Sequence, residues 1–136
     1  MISLTAAIMD CLHQGHKNIL EVMRANSEWV IVVIHDDLSC YQIKSKMPVQ
    51  TEMHRRRNIL LTGLADEVLI TRSVDPAEEF AAVMKKHRNL VFMRGDDNLD
   101  FPGKWILDQN DIPIKYIAYT SGVSSTEIRQ ERATGE

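Results

Sequence analysis

Apolar residues fall in short runs separated by polar stretches, and their spacing alternates between two periods. Ile2 to Met9 is apolar enough for a buried strand, and a polar loop from Asp10 to His16 follows it. Ile19, Leu20 and Met23 then recur at helical spacing until Asn26-Ser27, where Trp29 to His35 begins a second strand. The near-continuous Val-Ile content of that strand suits a parallel strand covered on both faces, because a half-exposed strand would alternate. From Asp36 to Gln50 the pattern dissolves into mixed polar residues with Pro48, which predicts a long connection of the kind used for binding. A helix over 51–64 with Ile59, Leu60 and Leu64 inward, and a strand from Glu67 to Ile70, restore the alternation.

Asp75-Pro76-Ala77-Glu78 predicts another helix start: an Asp cap, Pro at the first helical position, and Glu at the third returning a hydrogen bond. Phe80, Val83, Met84 and His87 share its inward face. Leu90 to Met93 reads as a strand, with Arg94-Gly95-Asp96-Asp97 just past its carboxyl end. A short helix from Lys104 to Gln109, a strand from Lys115 to Tyr119 and a helix opening near Ser124 to Thr126 complete the order. Five strands alternating with helices predict a three-layer α/β fold with a mostly parallel sheet, whose ligands bind beyond the carboxyl ends of the strands.

With 136 residues and 44% hydrophobic content, the chain suits one domain, expected over 1–131, with a short tail at 132–136. The longest apolar run, Trp29 to Ile34, stops at His35-Asp36-Asp37, far short of a membrane span. No basic amino-terminal region precedes an apolar stretch, so no secretory signal is expected and a cytoplasmic location is. Cys11 and Cys40 lack Cys-x-x-Cys spacing and are expected to be reduced thiols, Cys11 as a small buried filler. Trp29 and Trp105 are expected in the core. A net charge of −3 and a pI near 5.9 argue against a nucleic-acid partner. Local basic clusters at Lys44 to Lys46, Arg55 to Arg57 and Lys85 to Arg88 leave room for a small anion.

Two segments carry candidate chemistry. His13-Gln14-Gly15-His16 lies between a strand and a helix start, where two imidazoles and free backbone N–H groups can meet one anion and Gly15 permits close approach. The same histidines can instead cap the helix. Gly122-Val123-Ser124-Ser125-Thr126-Glu127-Ile128-Arg129 is a glycine turn followed by three hydroxyl residues at a helix start, with an arginine one turn on. Hydroxyls, amides and a guanidinium suit phosphates, although a serine there also caps a helix. A zinc site has little support, because His35, His54 and His87 come with no ligand spacing.

Together the two segments resemble the nucleotidylyltransferase superfamily, most closely the glycerol-3-phosphate and phosphoethanolamine cytidylyltransferases. Met9-Asp10-Cys11-Leu12-His13-Gln14-Gly15-His16 is similar to the Phe-Asp-x-x-His-x-Gly-His signature, and Val123 to Arg129 to Ile-Ser-Thr/Ser-Thr-x-Ile-Arg/Lys. Lys44 and Lys46, Arg55, Asp66-Glu67-Val68 and Met93-Arg94-Gly95-Asp96-Asp97 fall at further landmarks in the same order. The resemblance covers nearly the whole chain and implies a Rossmann-like fold, a homodimer, and transfer of CMP from CTP to a small phosphorylated alcohol with Mg²⁺. It implies that His13 and His16 donate hydrogen bonds to nucleotide phosphates, that Lys46, with Lys44, closes over the α-phosphate as a lid, and that Arg55 contacts an anion. Ser124, Ser125, Thr126 and Arg129 would hold the β- and γ-phosphates, with Thr120, Gly122 and Val123 beside them. Met9, Asp10, Gly15 and Asp96 would also border the nucleotide, Asp10 or Asp96 reaching a metal, a ribose or a base amine. Asp97 would cap or solvate the edge. The metal is expected to ride on the phosphates.

The chain departs from the pattern at three places. Ala7-Ile8 stands for Gly-Thr, Tyr119 and Ser121 for the Arg and Glu of Arg-Thr-Glu-Gly, and Asn98 for a tryptophan after Gly-Asp-Asp. These changes point to an altered acceptor. Adenylyltransferases share both signatures, so ATP is the alternative nucleotide, and a noncatalytic nucleotide-binding protein is the alternative of another class.

Overall fold

A computed structural model describes residues 1–118 of the chain. Five strands, β1 (Ile2–Ala7), β2 (Trp29–His35), β3 (Glu67–Thr71), β4 (Leu90–Gly95) and β5 (Ile114–Ile117), form one sheet in the order β3-β2-β1-β4-β5. Each neighbouring pair is parallel. Helices α1 (Gln14–Asn26), α2 (Asp37–Lys44), α3 (Glu52–Leu61), α4 (Ala77–Lys86) and α5 (Lys104–Gln109) supply the connections. This is the doubly wound, Rossmann-like α/β architecture expected, with the strand order reversing between β1 and β4.

β2 shows why its sequence does not alternate. Val30, Val32 and Ile34 join one core with Leu20 and Met23 of α1 and Ile59 of α3. Ile31 and Val33 join the other with Phe80 and Val83 of α4 and Leu107 of α5. Both faces are covered, so every position from Val30 to Ile34 is apolar and fully buried. On the second face Gly103 starts α5 at φ +90, where a Cβ would lie 2.6 Å from the Phe80 ring, so glycine alone allows this approach.

Several expectations need correction. The segment 36–50 is not one irregular connection, because α2 forms within it, capped by Asp36 Oδ1 accepting from the Ser39 N–H at 2.9 Å. The helix buries only Ser39 and Cys40, which leaves no apolar period to read. α4 starts at Ala77, one residue later than expected, with Asp75 Oδ1 accepting the Ala77 N–H and no side-chain capping bond at Pro76. β1 stops at Ala7 and β4 continues through Arg94-Gly95. Trp29 and Trp105 are exposed rather than core, each satisfying its indole N–H on a surface carboxylate, Glu67 and Asp75 respectively. Cys11 is exposed as well, with Cys40 the buried thiol. Among the described residues no helix is long and apolar enough to cross a membrane. The expected final helix and tail, and the end of the last strand at Tyr119, lie outside the described residues.

Candidate active site

Beyond Ala7 the chain leaves the sheet in a loop that places Met9 at φ 53 and Cys11 at φ 50, the left-handed region that ordinary side chains avoid. Such strain persists where surroundings over-determine it. Here Met9 is buried in the core, and the Asp10 carboxylate is clamped from outside: Oδ2 accepts the Val49 N–H at 2.7 Å and Oδ1 the Gln50 N–H at 2.9 Å. Burial alone would raise the Asp10 pKa, but these two N–H groups and nearby Arg55 outweigh it and hold the carboxyl below its ordinary value. Gln50 completes the suture by accepting the Cys11 N–H on Oε1. Asp10, a candidate for metal, ribose or base, therefore has both oxygens engaged by backbone.

The loop ends in the histidine pair. His13 Nδ1 accepts the Gly15 N–H at 3.0 Å, and His16 Nδ1 accepts the His13 N–H at 3.2 Å, a reciprocal cap at the start of α1. The rings stack with centroids 3.7 Å apart. A nitrogen that accepts from a backbone N–H carries no proton, so each neutral ring holds its hydrogen on Nε2. Capping and phosphate contact are thus compatible: the cap uses Nδ1 and leaves Nε2–H to donate. Burial, then the neighbouring His13, pushes the His16 pKa from the ordinary 6.5 down to about 4, against the opposing pull of Asp10.

This has a consequence for stability. Between about pH 6.5 and about pH 4 the unfolded chain takes up a proton at His16 that the folded chain refuses, so stability is expected to decline as the pH falls through that window. Burial lowers the His35 pKa in the same direction. Thermal melts across the window should show a shallower decline for His16→Asn than for the parent chain. Equal slopes would remove His16 from the cause.

The two histidines line a cleft at the carboxyl edge of the sheet. One lobe, about 330 Å³, runs from Thr5 and Ala7 past Gly15 to Gly95 and Ala118. A second, about 500 Å³, adjoins it under Lys46, Met47 and Pro48. His13, His16, Met9, Lys44, Arg94 and Asp97 border both. Ser45 ends α2 at φ 61 with its N–H on Tyr41 O, and this turn brings the flanking lysines, Lys44 and Lys46, to the second lobe.

Arg55 is placed differently from an anion contact. Its side chain is fully buried, with Nε donating to Gln50 O at 3.1 Å, one terminal nitrogen to Ile8 O at 2.9 Å and the other to Asp37 Oδ1 at 2.8 Å. It ties the end of the first strand, the lysine loop and α2 together from behind the cleft. Arg56 donates to Val68 O, while Arg57 is exposed. Asp97, expected only to cap, borders both lobes, whereas Asp96 is half-buried with its backbone N–H on Ile117 O. The sequence pattern alone gives Arg94 no role, although a charged residue at the carboxyl end of an otherwise apolar parallel strand is an available signal. Thr120, Gly122, Val123, Ser124, Ser125, Thr126 and Arg129 lie outside the described residues.

Comparison with known proteins agrees with this geometry. The family model for cytidylyltransferase-like proteins matches residues 4–131. Glycerol-3-phosphate cytidylyltransferase of Bacillus subtilis (strain 168) is 27% identical over 130 residues, 96% of this chain and 95% of that protein. Ethanolamine-phosphate cytidylyltransferase of Dictyostelium discoideum is 28% identical over 125 residues, 88% of this chain but 34% of the longer relative. Among solved structures, the lipopolysaccharide core biosynthesis protein from Thermoplasma volcanium GSS1 shares the fold with a TM-score of 0.65 at 19% identity, over 90% of this chain and 99% of that one. A match that begins in β1, includes the histidine loop and both walls of the cleft, and runs past β5 leaves little of the chain outside it: the protein belongs to the cytidylyltransferase-like family of nucleotidyltransferases.

Proposed function

We propose that this protein transfers CMP from CTP to a small phosphorylated alcohol. The observation that carries the reading is the pair of imidazoles whose Nδ1 atoms are occupied by backbone donors, which leaves each Nε2 to donate, on two residues that border a cleft with Lys44 and Lys46. A phosphate oxygen of the acceptor attacks the α-phosphorus of CTP in line, and the bond to the β-phosphate oxygen breaks as pyrophosphate leaves. The acceptor phosphate is already ionised, so no general base is needed, and the protein's task is positioning and cancelling charge on phosphoryl oxygens. Imidazoles with Nδ1 engaged serve this as fixed donors, and His16, with its pKa pushed down to about 4, does so without exchanging a proton. Lys46, with Lys44, supplies the mobile positive charge as it moves toward the leaving group. The hydroxyls of Ser124, Ser125 and Thr126 and the guanidinium of Arg129 hold the β- and γ-phosphates in this reading.

Mg²⁺ fits the same cleft. It takes few protein ligands when phosphates supply the rest, and among the described residues no group of three or more His, Cys, Asp or Glu gathers to hold a metal alone. Asp97, which borders both lobes, is the carboxylate that would meet it in this reading. The ion supplies charge neutralisation at the phosphates when bound.

The test is pyrophosphate release with Mg²⁺ and each of CTP, ATP, GTP and UTP, against glycerol 3-phosphate, phosphoethanolamine and a panel of other phosphorylated alcohols and sugars. Release is expected with CTP and one acceptor class. Release with ATP alone would move the protein to adenylyl transfer. Nucleotide binding without turnover on any acceptor would favour the noncatalytic alternative.

A further inference from the structure

We propose that Arg94 holds the phosphate of the acceptor and thereby selects phosphomonoesters as acceptors; this rests on the nucleotidyl-transfer reading above. Arg94 stands at the carboxyl end of β4 and borders both lobes of the cleft. Its Cζ lies 4.4 Å from the centroid of the Phe101 ring. Phe101 stacks on Phe92 at 5.0 Å, and Phe92 meets Phe80 edge-on at 5.4 Å, so the guanidinium rests on a column of packed rings that continues into the core. One flat face is therefore fixed, and the edge of the guanidinium carries the N–H donors that a ligand would meet.

No acidic group among the described residues comes within ion-pair distance of them. Among the described residues Arg94 forms no ion pair, and its Nε is buried without a hydrogen-bond partner. Burial also lowers its pKa, partly countered by Asp97 and Tyr116, yet a guanidinium stays charged across any working pH. Asp97 acts on this half-buried cation from beyond ion-pair distance, so part of the desolvation cost remains, and a bound anion would reduce it. Contrast Arg55, whose three nitrogens are all spent on Ile8, Gln50 and Asp37.

The choice of acceptor over nucleotide follows from what each phosphate needs. The α-phosphate has the imidazoles and the loop lysines. The attacking group is a second phosphate anion brought against the first, and in-line geometry puts it on the side away from the leaving pyrophosphate, so it needs a cation of its own. Ala7, beside Arg94 in both lobes, offers no hydroxyl for it, and neither does Ile8. A planar guanidinium seated on an aromatic ring can grip a phosphate bidentately, which an ammonium cannot.

The test is calorimetry on the full chain in two steps, first with Mg²⁺ and a non-hydrolysable α,β-methylene analogue of CTP, then with glycerol 3-phosphate, phosphoethanolamine and inorganic phosphate on the loaded protein. Arg94→Met, which keeps the stem over Phe101, is expected to weaken whichever of these the parent binds by at least about tenfold, while the Kd of the analogue moves by less than about threefold. Arg94→Lys, with charge but no fork, should fall between. A loss of analogue affinity equal to the phosphate loss assigns Arg94 to the nucleotide and overturns the proposal. So does unchanged phosphate binding in a variant with a parent-like melting temperature, or a parent that binds none of the three phosphates. Failure of the parent to bind the analogue, with phosphate binding still Arg94-dependent, would instead remove the CTP reading and leave the phosphate site standing.

Discussion

Replacing His16 with alanine is expected to lower kcat by about 10²- to 10³-fold, the loss typical of one preorganised donor to a developing oxyanion, or roughly 3 to 4 kcal/mol. The expectation follows from how the ring is held. Its Nδ1 accepts the His13 N–H, the ring is half-buried and stacked on His13, and its pKa near 4 keeps it neutral. The ring is therefore held, with its hydrogen on Nε2, before substrate arrives, so little reorganisation is expected during the reaction. Alanine removes the cap as well as the donor, and the cap contributes about 1 kcal/mol to stability. Two further variants separate these roles. His16→Asn places an amide oxygen near the Nδ1 position, so it should melt close to the parent yet lose activity as alanine does. His16→Gln can extend an N–H toward the Nε2 position and should retain part of the turnover while losing the cap. Steady-state kinetics beside thermal melts reads both, and unchanged turnover in His16→Ala would refute the assignment to the transition state.

Arg55→Met is the second large effect, and its main cost is expected in stability. Arg55 is fully buried and satisfies two carbonyls and one carboxylate, each on a different segment. Methionine fills most of the volume but leaves Ile8 O and Gln50 O without their donor, and each unsatisfied buried acceptor costs about 1–3 kcal/mol. Asp37 is 28% exposed and regains water, so its share is smaller. The sum is about 3 kcal/mol, near the lower end for breaking a buried ion pair. Urea denaturation should show the midpoint shift with little change in slope. Arg55→Lys keeps the charge without the fork and should recover only part of the loss. Because Arg55 holds the base of the lysine loop to the strand end, kcat/KM should also fall in both variants. A direct anion contact predicts the opposite division: intact stability, with the loss confined to nucleotide or acceptor affinity.

Local pattern was enough for elements whose sequence and burial coincide. β2 spans Trp29–His35 as its unbroken Val-Ile run predicts, because both faces are covered, and α5 spans Lys104–Gln109. α2 was not legible, since a helix that buries only Ser39 and Cys40 has no apolar stripe. The histidine loop was legible as a site because its glycine, its two imidazoles and its place after a strand lie within four consecutive residues, and the family resemblance supplied the chemistry.

Residues whose role depends on distant partners could not be read this way. Arg55 is 47 positions from Ile8 and 18 from Asp37, so only the fold reveals that its donors are spent internally. Arg94, one position after an apolar run, rests on Phe101, which stacks on Phe92 of its own strand and through it meets Phe80 of α4. Asp10 resembles a free carboxylate until the loop at Val49 and Gln50 folds onto it. The alternation of strands and helices, the parallel sheet and the place of the histidine loop at its carboxyl edge were readable from the chain alone, because these depend on neighbouring residues and periodic burial. Which of the described charges are satisfied within the chain, as those of Arg55 and Asp10 are, became visible only in the fold, because hydrogen-bond satisfaction and desolvation are set by groups that meet only when the chain has folded.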